Sequence, residues 1–259
     1  MLENSIKATD FLDRTEVTLP YYFSGSEIPL TLTFRLFEGQ VYASDKGRAY
    51  SELKKRAEDI AEKITEYFAC VCFELKLNEK NEIIIPVNRC KDIFMLIQAV
   101  SLIANAYTYP ELDEYYMGIH LPCREEATAL SDTSAPKELV KKLFDEIEVE
   151  DMGKECYIKL PFYFPDESCP MGILFSKSDM TLTDVGDFDG GQIIDRIDFQ
   201  SGGEFSEDKV ASMCRNFGCF YEDLKIRYKL ENEDNISRAV FDFLQMASVL
   251  GETWHYIVL

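Results

Sequence analysis

Carboxylates form the most concentrated group of chemically capable side chains in this sequence. Asp184, Asp187 and Asp189 lie in the segment DVGDFDGGQIID, directly after a predicted strand. Several carboxylates on one loop can bind Mg²⁺ or Ca²⁺. The EF-hand spacing is not met, because Val185 and Arg196 stand where that loop requires acidic ligands. The alternative is a structural role in turns and helix caps, where aspartate oxygens accept backbone N–H bonds.

Thiols are the second group. Cys70 and Cys72 are predicted to lie on one face of a strand, and Cys214 and Cys219 occupy a similar place in the second half of the chain. Structural zinc sites usually use CxxC pairs or cysteines combined with histidines, and neither pattern occurs here. We therefore expect reduced, mostly buried thiols that pack in the core.

The histidines and glycines indicate no further chemistry. His120 and His255 are the two histidines, and neither has a sequence neighbour that would form a catalytic triad. The sequence contains no Walker A loop and no GxGxxG motif. It therefore predicts neither a histidine general base nor a bound cofactor.

Aromatic residues follow the last predicted helix of each half of the chain. As amphipathic anchors on an acidic surface they could form a protein-binding patch. The alternative is an interface between the two halves. These candidate partner-binding residues are Tyr107, Tyr109, Tyr115, Tyr116, Trp254 and Tyr256.

Charge narrows the choice of partner. The 259 residues include 47 acids and 27 bases, a formal net charge of -20. This balance argues against direct binding to nucleic acid phosphates or to an anionic membrane, and it favours a basic or apolar protein partner. A dense acidic face can also imitate a phosphate backbone. No apolar run is long enough to span a bilayer, and no secretory signal is evident, so we expect a cytoplasmic protein.

Three sequence anchors recur in the same order and predict a tandem duplication. LPYYF (19–23) matches LPFYF (160–164) at an offset of 141 residues. YFACVCFELKL (67–77) matches NFGCFYEDLKI (216–226) at 149, and FMLIQAVSLI (94–103) matches FDFLQMASVL (241–250) at 147. Between the first and second anchors, Asp45 corresponds to Asp184 at an offset of 139 residues.

The predicted fold class is α+β, with two copies of an antiparallel sheet packed by helices in the order α-β-β-β-α-β-β-α. The leading helices are predicted at 3–13 and 136–148. The predicted domains are residues 1–118 and 136–259, joined by a linker at 119–135. We expect the two repeats to pack as a pseudo-twofold pair, as duplicated dimerising domains usually do.

Three stretches of the second copy resemble an uncharacterised domain family of bacteria and their phages. MTLTDVG (180–186) resembles the family's strand that ends in LTDDG, and RNFGC (215–219) resembles its FGV-like strand start. FDFLQMASVL (241–250) resembles its closing IQAM-like helix. The first copy is similar more weakly, at Asp45-Lys46-Gly47 and at IQAV (97–100). The resemblance implies the fold and a bacterial or phage origin, without an established activity. The element order also resembles that of type III secretion chaperones, which are small acidic proteins that hold partner segments.

Together these features predict a non-catalytic acidic module that binds another protein, as an inhibitor, immunity protein or chaperone does. The first alternative is a metal-dependent phosphodiesterase or nuclease-like enzyme that uses the loop of Asp184, Asp187 and Asp189. The second alternative is a nucleic acid mimic, whose binding would weaken steeply with salt.

Overall fold

A computed structural model of the chain describes residues 5–23, 25–106, 135–164, 170–185 and 191–252. The chain divides into two compact units, residues 3–145 and residues 146–259. Each unit is a layer of helices on a six-stranded antiparallel sheet. None of the helices in these ranges is long and apolar enough to cross a membrane.

The first unit has the sheet order β1-β2-β3-β4-β6-β5. A π-helical turn, Tyr67–Cys72, follows its second helix. The strands are β1 (Lys7–Asp10), β2 (Thr15–Tyr22), β3 (Pro29–Phe37), β4 (Gln40–Ser44), β5 (Lys76–Leu77) and β6 (Ile83–Val87). The helices are α1 (Arg48–Lys54), α2 (Glu58–Glu66), α3 (Cys90–Asn105) and α4 (Lys137–Lys142).

The second unit has the sheet order β7-β8-β9-β10-β12-β11, which is the order of the first sheet repeated strand for strand. Its strands are β7 (Glu148–Asp151), β8 (Glu155–Lys159), β9 (Gly172–Ser176), β10 (Thr181–Val185), β11 (Cys219–Glu222) and β12 (Lys225–Lys229). Its helices are α5 (Gln192–Ser201), α6 (Glu207–Arg215) and α7 (Ile236–Glu252), with a 3₁₀ turn at Glu233–Asn235.

The pairing register also repeats. Val17 pairs with Leu32 between β2 and β3, and Ile158 pairs with Ile173 between β8 and β9, both at the 141-residue offset. A one-residue slip would turn every side chain of a strand to the other face, so register is strongly specified wherever one face is buried. The shared order and register agree with the predicted duplication.

Alternating side chains build the core of each unit. Residues of β2 alternate between buried and half-buried positions, as expected for a strand with one face against helices. The rings of Tyr21 and Phe23 meet edge to face at 5.3 Å, and those of Phe162 and Phe164 do so at 5.4 Å in the second unit. The repeated LP-aromatic motif therefore supplies the same aromatic pair to both cores.

The predicted leading helices are wrong in part. Residues 7–10 of the segment predicted as a helix at 3–13 form strand β1, because a short isolated helix is marginal whereas pairing with β2 satisfies the backbone. The helix predicted at 136–148 ends at Lys142, and β7 follows. Each unit thus begins its sheet with a strand that the predicted order lacked.

Helix α4 belongs with the first unit by its contacts. It packs on β1, and the Thr15 hydroxyl donates a hydrogen bond to the carbonyl of Ala135. The boundary between the two units therefore lies after Asp145 in the sequence, later than the predicted linker at 119–135.

The segment that contains Cys70 and Cys72 was wrongly predicted as a strand. It forms the π-helical turn, and strand β5 begins only at Lys76. Helix α6 begins 149 residues after its counterpart α2, whereas β12 matches β6 at an offset of 143 residues. The segment between α2 and β6 is therefore six residues longer than the segment between α6 and β12. The π-helical turn Tyr67–Cys72 lies between α2 and β5 and accommodates these extra residues.

Candidate functional site

Asp45 connects three parts of the first unit. It follows β4 and precedes α1, and its side chain is fully buried. The Gly47 and Ile83 N–H groups donate to its Oδ1 atom, each at 2.9 Å, and the Ala49 N–H donates to Oδ2 at 3.0 Å. One carboxylate thus joins the end of a strand to the first turn of a helix and to the neighbouring strand β6.

Asp184 repeats two of these three hydrogen bonds. The Ile193 N–H donates to its Oδ2 atom at 2.9 Å, and the Ile226 N–H donates to Oδ1 at 3.2 Å. These donors lie in the first turn of α5 and in β12, which correspond to the positions of Ala49 in α1 and Ile83 in β6. The two aspartates thus accept backbone N–H bonds from equivalent helices and strands of the two units.

Burial controls the ionisation of both carboxyl groups. Desolvation raises the pKa of Asp45 to about 6 and that of Asp184 to about 6, while the backbone N–H bonds oppose this rise. Gly191 is needed beside Asp184, since a Cβ atom there would lie 2.3 Å from its carboxylate oxygens. The geometry is that of a buried structural clamp, which the sequence had offered as the alternative to metal binding.

The described candidate ligand of the predicted metal loop, Asp184, already accepts hydrogen bonds from the protein backbone. Asp184 is 2% exposed and both of its oxygens accept backbone N–H bonds. Asp187 and Asp189 lie outside the described residues. Within the described ranges, no group of three or more His, Cys, Asp and Glu side chains is placed to hold a metal ion.

The predicted aromatic patch lies outside the described residues. This holds for all six of its members, Tyr107, Tyr109, Tyr115, Tyr116, Trp254 and Tyr256, and also for His120 and His255. The patch stays a prediction.

A buried ion pair near the closing helix of the second unit was missed by sequence reasoning. Arg196 in α5 donates to the carbonyl of Gly251 at 3.1 Å and to the Glu252 carboxylate at 3.0 Å, and its guanidinium lies 4.8 Å from the centre of the Phe164 ring. Glu52 stands at the matching position of α1 and is also buried. The helix periodicity could have placed both residues on the core face.

A second polar cluster distinguishes the second unit from the first. The Tyr228 hydroxyl donates to Asp242 Oδ2 at 3.3 Å, and burial raises the pKa of Asp242 to about 6 and that of Tyr228 to about 12. Burial also raises the pKa of Cys214 to about 12 and that of Cys219 well above its usual value. Thiols of this kind are poor nucleophiles because the thiolate is disfavoured.

The exposed acidic feature of the second unit is strand β7. Its sequence is EVED, it continues the acidic residues Asp145 and Glu146, and all four of its residues are exposed. Val149 at its centre is 50% exposed. Alternation of acidic and apolar residues over DEIEVED (145–151) was the available sequence signal for an edge strand, and the predicted helix at 136–148 obscured it.

Comparisons of this chain with protein-family models, with curated proteins and with solved structures found no match. The resemblances to the phage-associated domain family and to type III secretion chaperones therefore stay predictions.

Proposed function

We propose that this chain is a non-catalytic protein-binding module with an acidic surface, whose partner presents basic or apolar groups. One observation carries the proposal: the negative charge lies at the surface. Among the described acidic residues, Asp45, Glu52 and Asp184 are the buried ones. The other described acids are partly or fully exposed, with Asp242 and Glu252 partly buried in the two clusters described above, and the whole chain carries a net charge of -20.

A surface of this kind steers a basic partner and repels an acidic one. Like-signed charges raise the local potential together, so oppositely charged partners associate faster and the effect falls with ionic strength. An inhibitor, an immunity protein and a chaperone are all consistent with this physics. Imitation of nucleic acid is a narrower form of the same idea, in which the partner's own site binds phosphates.

The metal-dependent enzyme stays the alternative without support from the described residues. Its one described candidate ligand, Asp184, accepts N–H bonds through both carboxylate oxygens and is buried under Gly191. Asp184 would have to give up these bonds before it could bind a metal ion.

Affinity capture from a lysate of the native host, followed by reconstitution with the purified partner, tests the proposal. We expect one stoichiometric partner whose calorimetric affinity weakens steeply as salt is raised. Competition by duplex DNA for the same partner would identify a nucleic acid mimic. Capture of no protein, together with Mg²⁺-dependent hydrolysis of a phosphodiester by the purified chain, would contradict the proposal.

A further inference from the structure

Three of the four sheet edges in the described residues are contacted by helical segments. Helix α4 packs on β1, the π-helical turn contacts β5, and α6 packs on β11. Among the elements that the structure describes, strand β7 has its extensive contacts with β8 alone, and every one of its residues is exposed. An uncovered edge strand presents a row of backbone N–H and C=O groups that can pair with another chain.

The hydrogen-bond pattern identifies the backbone groups that point outward. The Met152 N–H donates to the Glu155 carbonyl at 2.9 Å, which makes these two residues a hydrogen-bonded pair at the β7–β8 hairpin. Antiparallel strands alternate hydrogen-bonded and non-hydrogen-bonded pairs, so Glu150 turns its backbone toward β8. Val149 and Asp151 therefore turn their N–H and C=O groups away from the sheet.

Side chains on β7 define what can lie beside it. Glu148 and Asp151 form exposed ion pairs with Lys159 at 3.2 Å and with Lys177 at 2.7 Å. Glu150 has no cation partner among the described residues, and Val149 offers an exposed apolar contact between the acids. The strand therefore suits an extended segment that alternates basic and apolar residues.

A second copy of this chain is a poor occupant of the same edge. If two β7 strands paired about a twofold axis at Val149, Glu148 of each strand would face Glu150 of the other. Like charges directly opposite each other in a sheet are destabilising. The acids thus disfavour self-association through this edge and favour a basic partner.

We propose that β7 is a docking edge on which a basic, extended segment of a partner protein adds as a seventh strand to the second sheet. The proposal rests on the proposed function, since it names the surface and the partner chemistry of the same binding module. Backbone pairing with Val149 and Asp151 provides the affinity, and the acids of β7 select lysine or arginine.

The probe is a blocked peptide of alternating lysine and valine, added to the full chain and followed by amide hydrogen exchange and calorimetry. We expect slower exchange at the Val149 and Asp151 amides. Val149→Pro removes one outward N–H without touching the bonds to β8, because proline is tolerated on the solvent side of an edge strand. It should weaken binding by up to roughly tenfold, the change expected from losing one hydrogen bond.

The first sheet supplies the matched control. Ala8 occupies the position of Val149 on β1, so Ala8→Pro should leave peptide binding unchanged. Protection of the Met152 amide verifies that Val149→Pro keeps the hairpin folded. A peptide methylated on alternate amides keeps its charge and should not bind.

Each remaining outcome overturns the edge assignment. Binding that leaves the Val149 and Asp151 amides unprotected, or that Val149→Pro does not weaken, would place the peptide elsewhere, and the binding-module proposal would survive. Absence of peptide binding would also reject the edge. The proposed function itself fails by a different result, namely capture of no protein from the host lysate together with Mg²⁺-dependent hydrolysis of a phosphodiester by the purified chain.

Discussion

Replacing Asp184 by alanine tests whether this residue is a structural clamp. The change leaves two backbone donors without an acceptor, the N–H groups of Ile193 and Ile226, and both residues are fully buried. An unsatisfied buried N–H costs roughly 1–3 kcal/mol, so two cost about 2–6 kcal/mol. Removing a buried carboxylate offsets the upper part of that range, and we expect a net loss of about 2–3 kcal/mol of unfolding free energy.

Hydrogen exchange of peptic fragments is the suitable assay, because two units need not unfold in one transition. Exchange should accelerate in the fragments that contain α5 and β12, and fragments of the first unit serve as an internal reference. Asp45→Ala removes the acceptor of three N–H groups, so its effect on the first unit should be larger. Glu150→Ala, at an exposed site, should change stability by less than about 0.5 kcal/mol.

A metal-binding role for Asp184 predicts a different pattern. Mg²⁺ or Mn²⁺ would then raise the stability of the natural sequence by mass action and have no effect on Asp184→Ala. If exchange in α5 and β12 is unchanged by the substitution while this metal-dependent stabilisation is lost, the clamp assignment is refuted.

Three further outcomes are expected. The pKa of Asp45 and of Asp184 rises from 3.8 to about 6 in the folded chain, so the folded state holds these protons more tightly than the unfolded state. The unfolding free energy should therefore fall by about 3 kcal/mol per aspartate as pH rises from about 4 to about 6. Urea titrations should show this fall for the natural sequence and a smaller fall for each Asp→Asn variant. Gly251→Ala places a Cβ atom 2.3 Å from the Phe164 ring and should cost about 1–3 kcal/mol, with partial recovery when Phe164→Leu is added; equal thermal midpoints would contradict this contact. The buried thiols of Cys214 and Cys219 should resist a thiol reagent in the folded chain, while the half-buried Cys70 and Cys72 react first, and mass spectrometry of the labelled fragments would reveal a reversed order.

Much of the fold follows from local pattern. Alternating apolar residues and the Glu38-Gly39 turn predict strands at 15–23, 28–37 and 40–44, and the structure has β2, β3 and β4 there. The sequence also predicts a closing helix in each half, at 91–107 and 236–252, and these are α3 and α7 in the structure. Nearly continuous apolar character is typical of a helix that lies against a sheet.

The errors arose where local pattern is weak or two patterns compete. Residues 7–10 become a strand only because β2 lies beside them. The sequence predicts a strand at 71–77, yet the structure has a π-helical turn at Tyr67–Cys72 and strand β5 begins only at Lys76. Neither outcome is encoded within a window of ten residues.

The sequence by itself determined that two related α+β units follow one another, because repeated anchors and their offsets are properties of the chain alone. The formal net charge of -20 is likewise fixed by composition. The role of Asp184 was decided by tertiary structure, since the hydrogen bond that it accepts from the Ile226 N–H exists only after β12 pairs beside β10. The exposure of β7 was also decided by tertiary structure, because β7 stands at the end of the sheet order and has a neighbouring strand on one side only.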